Sequence, residues 1–120
     1  MDQYHEDART VLRDTSLRFH TTNAILREFF TWARARLGYE RAIAATDAVR
    51  RGNSFTVHYL DRERDAAVWA LLGELRAFPL SYADASLVFL GRELGIREVF
   101  GFDRDFALAG MDLVPRLPRR

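Results

Sequence analysis

The stretch LSYADASLVFLGRELGIREVFGFD, residues 80–103, decides the fold of this chain. Apolar residues recur at helical spacing after Ser81, and Gly95 supplies a helix stop, so a helix is predicted between these two residues. Glu98–Phe102 is typical of a short strand, and Asp103 follows it directly. In open α/β sheets, ligands bind at the carboxyl ends of parallel strands. The stretch therefore predicts an α/β protein with an acidic residue at a strand end.

Outward from this stretch, helices alternate with short strands along the chain. The remaining predicted elements are a helix over 3–14, a strand Leu17–His20, a helix from Thr21-Thr22-Asn23 to Gly38, a helix over Glu40–Arg50, a strand Ser54–Leu60, a helix capped by Asp61 and running to Ala77, and a short strand at Leu113–Val114. This alternation predicts an α/β fold with a central, mainly parallel sheet flanked by helices, in a single domain over residues 1–120.

Composition excludes several classes of protein. Of the 120 residues 48% are hydrophobic and none is cysteine, which excludes disordered chains, disulfides, thiolate metal sites and cysteine nucleophiles. No apolar run is long enough for a bilayer and no charged-then-apolar leader follows Met1, so we expect a cytoplasmic protein without a membrane partner. All 18 basic residues are arginine, which suits phosphate binding but also fits a GC-rich genome.

Asp84 is the most informative acidic residue. At 100° per residue it falls between Val88 and Gly91, inside the apolar face of its predicted helix. A carboxylate directed toward a core must be paired, hydrogen-bonded or metal-bound. Ser81-Tyr82-Ala83-Asp84 also matches a capping box, in which Asp84 reaches back to the Ser81 amide. Both interpretations stay open on the sequence.

Glu28 and Asp103 are weaker candidates when each is taken alone. Glu28 lies about 40° beyond Trp32, on the flank of an apolar helix face, where a solvated or arginine-paired glutamate is common. Asp103 follows a strand but also suits a turn or a helix start. Together with Asp84, they sit where helices begin and a strand ends, and these ends converge at one edge of an α/β sheet. Carboxylates gathered there repel one another unless a divalent cation neutralises them, and an all-oxygen site suits Mg²⁺ or Mn²⁺.

Several segments resemble one family. They are Leu80–Ala85, Gly91–Ile96, Val99–Phe106 with Ala109-Gly110, and Thr21–Glu28, with Tyr4–Ala8 near the start. In these segments the chain resembles a PIN domain and is similar to the bacterial toxin ribonucleases of VapBC toxin–antitoxin pairs. The likeness covers essentially the whole chain, and the stretch from Asp84 to Phe106 is the most specific part of it.

The resemblance implies a metal-dependent endoribonuclease with a three-layer PIN fold. Glu28, Asp84 and Asp103 match three of the family's acidic positions, which hold Mg²⁺ or Mn²⁺, and Asp105 matches a further, more variable one. The implied partners are an RNA substrate and a small antitoxin, with a homodimer as a further expectation.

The sequence departs from the family pattern at its beginning. PIN domains open with a strand that carries an aspartate and lies in the middle of the sheet, and no such strand precedes the helix predicted over 3–14. Asp14-Thr15-Ser16-Leu17 follows that helix and is not assigned this role. We therefore expect the strands Leu17–His20 and Glu98–Phe102 to flank a gap, in an N-terminally incomplete domain.

Other signals leave two alternative functions open. His5, His20 and His58 show no paired spacing, so a histidine site has little support. The aromatic residues Phe29, Phe30, Trp32 and Trp69 are expected in the core, with Phe30 and Trp32 also suited to a dimer or antitoxin surface. A group of arginines over residues 34–51 forms either an RNA-binding edge or a solvated face with local ion pairs. They are Arg34, Arg36, Arg41, Arg50 and Arg51. The alternatives to a nuclease are a degenerate PIN module that binds RNA or an antitoxin without cutting, and an unrelated α/β binding protein whose carboxylates are helix caps.

Overall fold

The computed structural model describes residues 18–100, 110 and 112–114. The strands and helices are β1 (Phe19–Thr22), α1 (Asn23–Leu37), α2 (Tyr39–Arg51), β2 (Phe55–His58), α3 (Arg62–Glu74), α4 (Tyr82–Leu94), β3 (Glu98–Phe100) and β4 (Asp112–Val114). This order confirms the predicted alternation of helices and strands. The helix predicted over 3–14 lies outside the described residues.

The described strands pair in parallel, as predicted, in two separate two-stranded sheets. In the first sheet β1 pairs with β2, with Phe19 opposite Phe55 and Thr22 opposite His58. In the second sheet β3 pairs with β4, with Val99 opposite Leu113. Within the described part of the chain, no ladder joins β1 to β3.

Several predicted boundaries differ from the structure. Strand β2 covers Phe55–His58 and is shorter than the predicted Ser54–Leu60, and α2 covers Tyr39–Arg51 instead of Glu40–Arg50. The first strand lies two residues further along than Leu17–His20, because the β-branched Thr21 and Thr22 continue the ladder with β2. Helix α3 ends at Glu74 instead of Ala77, since its last turn contains Gly73 and no basic residue, and residues 75–77 form a turn.

The main core cluster lies between α3, α4 and the second sheet. Leu71, Val88 and Val99 are buried there, and partly buried apolar side chains pack around them: Leu75, Leu80, Leu87 and Phe89. Helix α4 thus contributes Val88 to this core while its first turns contact the first sheet. None of the described helices is both long enough and apolar enough to cross a membrane.

Candidate functional site

A chain of buried hydroxyl groups fixes the start of α1 against the start of α4. The Ile25 amide donates to Thr22 Oγ1 at 3.2 Å, and Thr22 Oγ1 lies 2.7 Å from Ser86 Oγ. Ser86 donates its single hydroxyl hydrogen to the Ala83 carbonyl at 2.6 Å, so Thr22 must donate to Ser86. Both hydroxyl side chains are fully buried. This chain therefore sets how the first turns of the two helices face each other.

Asp84 forms the predicted capping box at the beginning of α4. Its amide donates to Ser81 Oγ at 3.0 Å, and its carboxylate accepts from the Ser81 amide at 3.3 Å. The capping interpretation is confirmed. The Ser81 amide donates to Oδ2 of Asp84, so Oδ1 remains for another partner.

Glu28 faces Asp84 from the second turn of α1. Glu28 lies on the exposed surface of α1, where partial desolvation raises its pKa above the ordinary value and the neighbouring Asp84 carboxylate raises this pKa further. The structure thus brings two of the predicted acidic residues together. The other two, Asp103 and Asp105, lie outside the described residues, and within the described ranges no three acidic or histidine side chains form a group able to hold a metal.

A polar cleft of about 340 Å³ opens where α1, α3 and α4 begin. Its lining residues are Asn23, Ala24, Arg27, Leu60, Asp61, Arg62, Asp65 and Tyr82. Asp61 accepts the Arg64 amide at 2.8 Å, which confirms it as the cap of α3. The position of the cleft follows from the parallel pairing of β1 and β2, since both strands end on this side.

Tyr82 is held firmly in the wall of the cleft. Its hydroxyl donates to Asp65 Oδ1 at 2.6 Å. Burial, followed by this hydrogen bond and the charge of Asp65, raises the pKa of Tyr82 to about 12, although nearby Arg27 lowers it somewhat. The phenol therefore remains protonated at neutral pH and keeps its donor role.

The sequence-based expectation that both tryptophans lie in the core is wrong. Trp32 and Trp69 are 51% and 60% exposed, so neither belongs to the core. Trp69 follows the fully buried Val68 by one position, and 100° of helical rotation turns it outward against the ring of Tyr82. Trp32 carries the Arg36 guanidinium 4.5 Å above its ring.

The predicted arginine edge is divided among local contacts. Arg34 lies over the Tyr39 ring at 5.5 Å, and Arg50 pairs with Asp47 at 2.9 Å. These contacts favour the interpretation of a solvated face with local pairing over that of a continuous RNA-binding edge.

Sequence reasoning missed a histidine pair. His20 Nδ1 and His58 Nε2 lie 2.9 Å apart although they are 38 positions apart in the chain. Burial lowers the pKa of His58 below its ordinary value, and His20 and Arg64 lower it further against the opposing effect of Glu93. Only the register of β1 on β2 brings the two rings together, so the signal lay in strand pairing rather than in spacing.

The carboxylate pair fits part of a divalent-cation site. Glu28 and Asp84 offer only oxygen donors, which hard cations such as Mg²⁺ and Mn²⁺ prefer. Desolvation is the larger cause of the raised pKa of Glu28, and the Asp84 charge adds to it. A divalent cation would neutralise two such neighbouring negative charges.

Comparison with known proteins identifies relatives of one kind, although no protein-family model matches the chain. The chain is similar to the 23S rRNA-specific endonuclease VapC20 of two Mycobacterium tuberculosis strains, CDC 1551 / Oshkosh and ATCC 25618 / H37Rv. Each is 30% identical over 90 residues, which are 75% of this chain and 68% of the relative.

The fold points to the same relatives. The structure superposes with a TM-score of 0.79 on the crystal structure of Mycobacterium tuberculosis VapC20, described as a Sarcin-Ricin loop cleaving toxin. The match has 27% sequence identity and covers 89% of this chain and 82% of that chain. The α/β arrangement of helices around short parallel strands is therefore PIN-like, and this chain belongs to the VapC-like family of PIN-domain toxins.

Proposed function

We propose that this chain is the toxin of a toxin–antitoxin pair and acts as a Mg²⁺- or Mn²⁺-dependent endoribonuclease that hydrolyses RNA phosphodiester bonds. The observation that carries the proposal is the approach of two carboxylates from different helices, Glu28 from the second turn of α1 and Asp84 from the first turn of α4. Similarity to relatives named as 23S rRNA-specific endonucleases supports RNA as the substrate class.

The acidic residues and the buried hydroxyl groups have different roles in the proposed reaction. Glu28 and Asp84 would hold the cation, and Asp103 and Asp105 would complete the acidic set, as the resemblance to PIN domains implies. When bound, such an ion activates a water molecule and offsets charge on the reacting phosphodiester. The hydroxyl chain from Thr22 to Ser86 keeps the two helix starts, and hence the two carboxylates, in position.

The test combines metal binding with RNA cleavage. We expect the unaltered chain to bind Mn²⁺ in calorimetry and to cut a loop-containing RNA in Mn²⁺ but not in EDTA. Glu28→Gln and Asp103→Asn should each abolish cleavage and weaken Mn²⁺ binding, because each removes a negative ligand. Asp47→Asn is the matched control, since Asp47 pairs with Arg50 on a distant surface. Cleavage that persists in EDTA or in the Glu28→Gln variant would refute this proposal.

The competing function is a module that binds RNA or an antitoxin without cutting. It predicts binding of the same RNA with no metal-dependent product from the unaltered chain. The carboxylate pair favours the nuclease, because plain RNA binding gives no reason to bring two negative charges together, whereas a divalent cation would neutralise them.

The proposed antitoxin would reach the same carboxylates. A guanidinium group can bridge Glu28 and Asp84 through forked, charge-assisted hydrogen bonds when no cation lies between them. The product of an adjacent small gene should co-purify with this chain and inhibit cleavage. A purified pair that fails to associate at micromolar concentration would contradict the toxin role.

A further inference from the structure

Trp69 and Tyr82 form an aromatic step beside the cleft. Their ring centroids are 5.1 Å apart with an interplanar angle of 48°, and Trp69 is 60% exposed. The hydrogen bond from Tyr82 to Asp65 fixes the lower ring of this step. The upper ring thus presents a large apolar surface to water from a rigid base, although burying such a surface is favourable.

Two arginines lie on the polar side of the same step. Arg27 and Arg62 both line the cleft, and among the described residues neither forms an ion pair. Asp61 and Asp65 share the cleft and each use one oxygen elsewhere, for the α3 cap and for Tyr82, and within the described residues neither pairs with Arg27 or Arg62. Two guanidinium groups are therefore available to an anionic ligand, and guanidinium forks match phosphate geometry.

The cleft residues next to the aromatic step lie on the same two helices as the carboxylate pair. Arg27 and Glu28 both belong to α1, and Tyr82 and Asp84 both belong to α4. The starts of these helices are joined by the buried contact between Thr22 and Ser86. A ligand stacked on Trp69 would accordingly extend over the cleft at the beginnings of α1 and α4.

We propose that Trp69, supported by Tyr82, stacks an unpaired base of the RNA substrate while Arg27 and Arg62 contact the phosphates beside that base. This proposal rests on the proposed ribonuclease function and names its substrate feature, which is a base free of a helix. Bases within an A-form duplex are stacked on each other and cannot reach an aromatic side chain, whereas loop bases can. The step therefore favours looped or single-stranded RNA over a duplex.

The two tryptophans of the chain provide a matched pair of reporters. Trp32→Phe leaves only Trp69 as a fluorophore, and Trp69→Phe leaves only Trp32, which lies on α1 beneath Arg36. The probe is a short RNA stem-loop, compared with a fully paired RNA duplex, in EDTA so that no metal-dependent cleavage occurs. We expect the stem-loop to quench the Trp32→Phe protein and to leave the emission of the Trp69→Phe protein unchanged. The duplex should quench neither protein to a comparable extent.

Affinity measurements separate stacking from charge. Trp69→Ala should raise the Kd for the stem-loop about tenfold, the order expected for one stacked base, and Trp69→Phe should retain most of the affinity. Trp32→Ala, the control, should leave the Kd unchanged. Arg27→Ala should weaken stem-loop and duplex alike and lower the slope of log K against log salt by about 1.

Several outcomes would overturn the base-stacking proposal. The first is an unchanged stem-loop Kd for Trp69→Ala, and the second is equal quenching by stem-loop and duplex. The third is quenching of Trp69 by the antitoxin but not by the stem-loop, which would make the step a protein interface. Because binding is measured without metal, failure of the ribonuclease proposal looks different. A chain that quenches with stem-loop RNA but never cleaves it supports the stacking step and refutes the nuclease.

Discussion

Asp84 combines two roles in one side chain. It closes the capping box with Ser81 and also faces Glu28, whose pKa it helps to raise. The sequence left these interpretations as alternatives, and the structure shows that the capping bonds and the approach to Glu28 coexist.

Substitutions at the two ends of the capping box separate these roles. Asp84→Asn should abolish Mn²⁺ binding and cost little stability, because asparagine still accepts at a helix start and repulsion with Glu28 disappears. Ser81→Ala should lower the free energy of unfolding by about 1 kcal/mol and leave Mn²⁺ affinity unchanged. Urea unfolding and calorimetry measure both quantities. An Asp84→Asn protein that loses stability like Ser81→Ala but still binds Mn²⁺ would reduce Asp84 to a cap.

His58 makes the stability of the chain sensitive to acid. Burial, together with His20 and Arg64, lowers the pKa of His58 from its ordinary value of 6.5, while Glu93 acts in the opposite direction. The unfolded chain consequently binds more protons than the folded chain as the pH falls below about 6.5. The stabilisation by neutral His58 is fully present above that pH and is lost toward the lower pKa of the folded state.

His58→Gln should make the free energy of unfolding less dependent on pH. We expect the unfolding free energy of the unaltered chain to fall more between pH 7.5 and pH 5.5 than that of His58→Gln, since glutamine does not titrate. Urea unfolding at the two pH values gives the comparison. Parallel slopes for the two proteins would assign the acid sensitivity to other groups.

At the scale of single residues, the sequence predicted the contacts between residues close together in the chain better than those between residues far apart. The capping box and the Asp61 cap follow from local patterns at helix starts, where residue type and position suffice. The approach of Glu28 to Asp84 was expected from the way helix starts and strand ends converge at one edge of an α/β sheet. The His20–His58 pair and the Trp69–Tyr82 step depend on strand register and helix packing, which one sequence does not encode locally. Asp103 and Asp105 remain predictions.

A buried hydroxyl contact joins the start of α1 to α4. Thr22 caps α1 and donates to Ser86, and both groups are completely buried. The sequence indicated that Thr21-Thr22-Asn23 would cap a helix, but it placed the strand before these residues instead of through Thr22. A residue that ends a strand and caps the next helix serves both elements, and propensity alone does not separate such roles.

A double-mutant cycle measures this contact. Thr22→Val should cost about 1–2 kcal/mol by removing the cap, and Ser86→Ala should cost about 1–3 kcal/mol by leaving the Thr22 hydroxyl unpaired. The double variant should cost less than the sum, because the second substitution removes a group that has already lost its partner. Thr31→Ala, on the exposed face of α1, should change stability by no more than about 0.5 kcal/mol. Strict additivity in urea unfolding would contradict the coupling.

At the scale of the whole molecule, the alternation of helices and strands was enough to predict a parallel α/β fold. The division of the described strands into two sheets did not follow from this alternation. The gap that the resemblance to PIN domains implies between the strands around residues 17–20 and 98–102 stays a prediction, because residues 1–17 lie outside the described ones. Hydrophobic periodicity identifies strands but not their neighbours, since pairing depends on long-range contacts.

Helix α4 contacts both sheets, through Ser86 toward β1 and through Val88 toward Val99 of β3. Because these two residues lie within one helical turn, loosening that turn should open both sheets in one cooperative event. Amide hydrogen exchange measures this cooperative opening. Ser86→Ala should speed exchange at Val99 in the second sheet by the same factor as at Thr21 in the first, although Ser86 contacts only the first sheet. Unchanged protection at Val99 would mean that the sheets open independently and that the molecule contains two foldons rather than one.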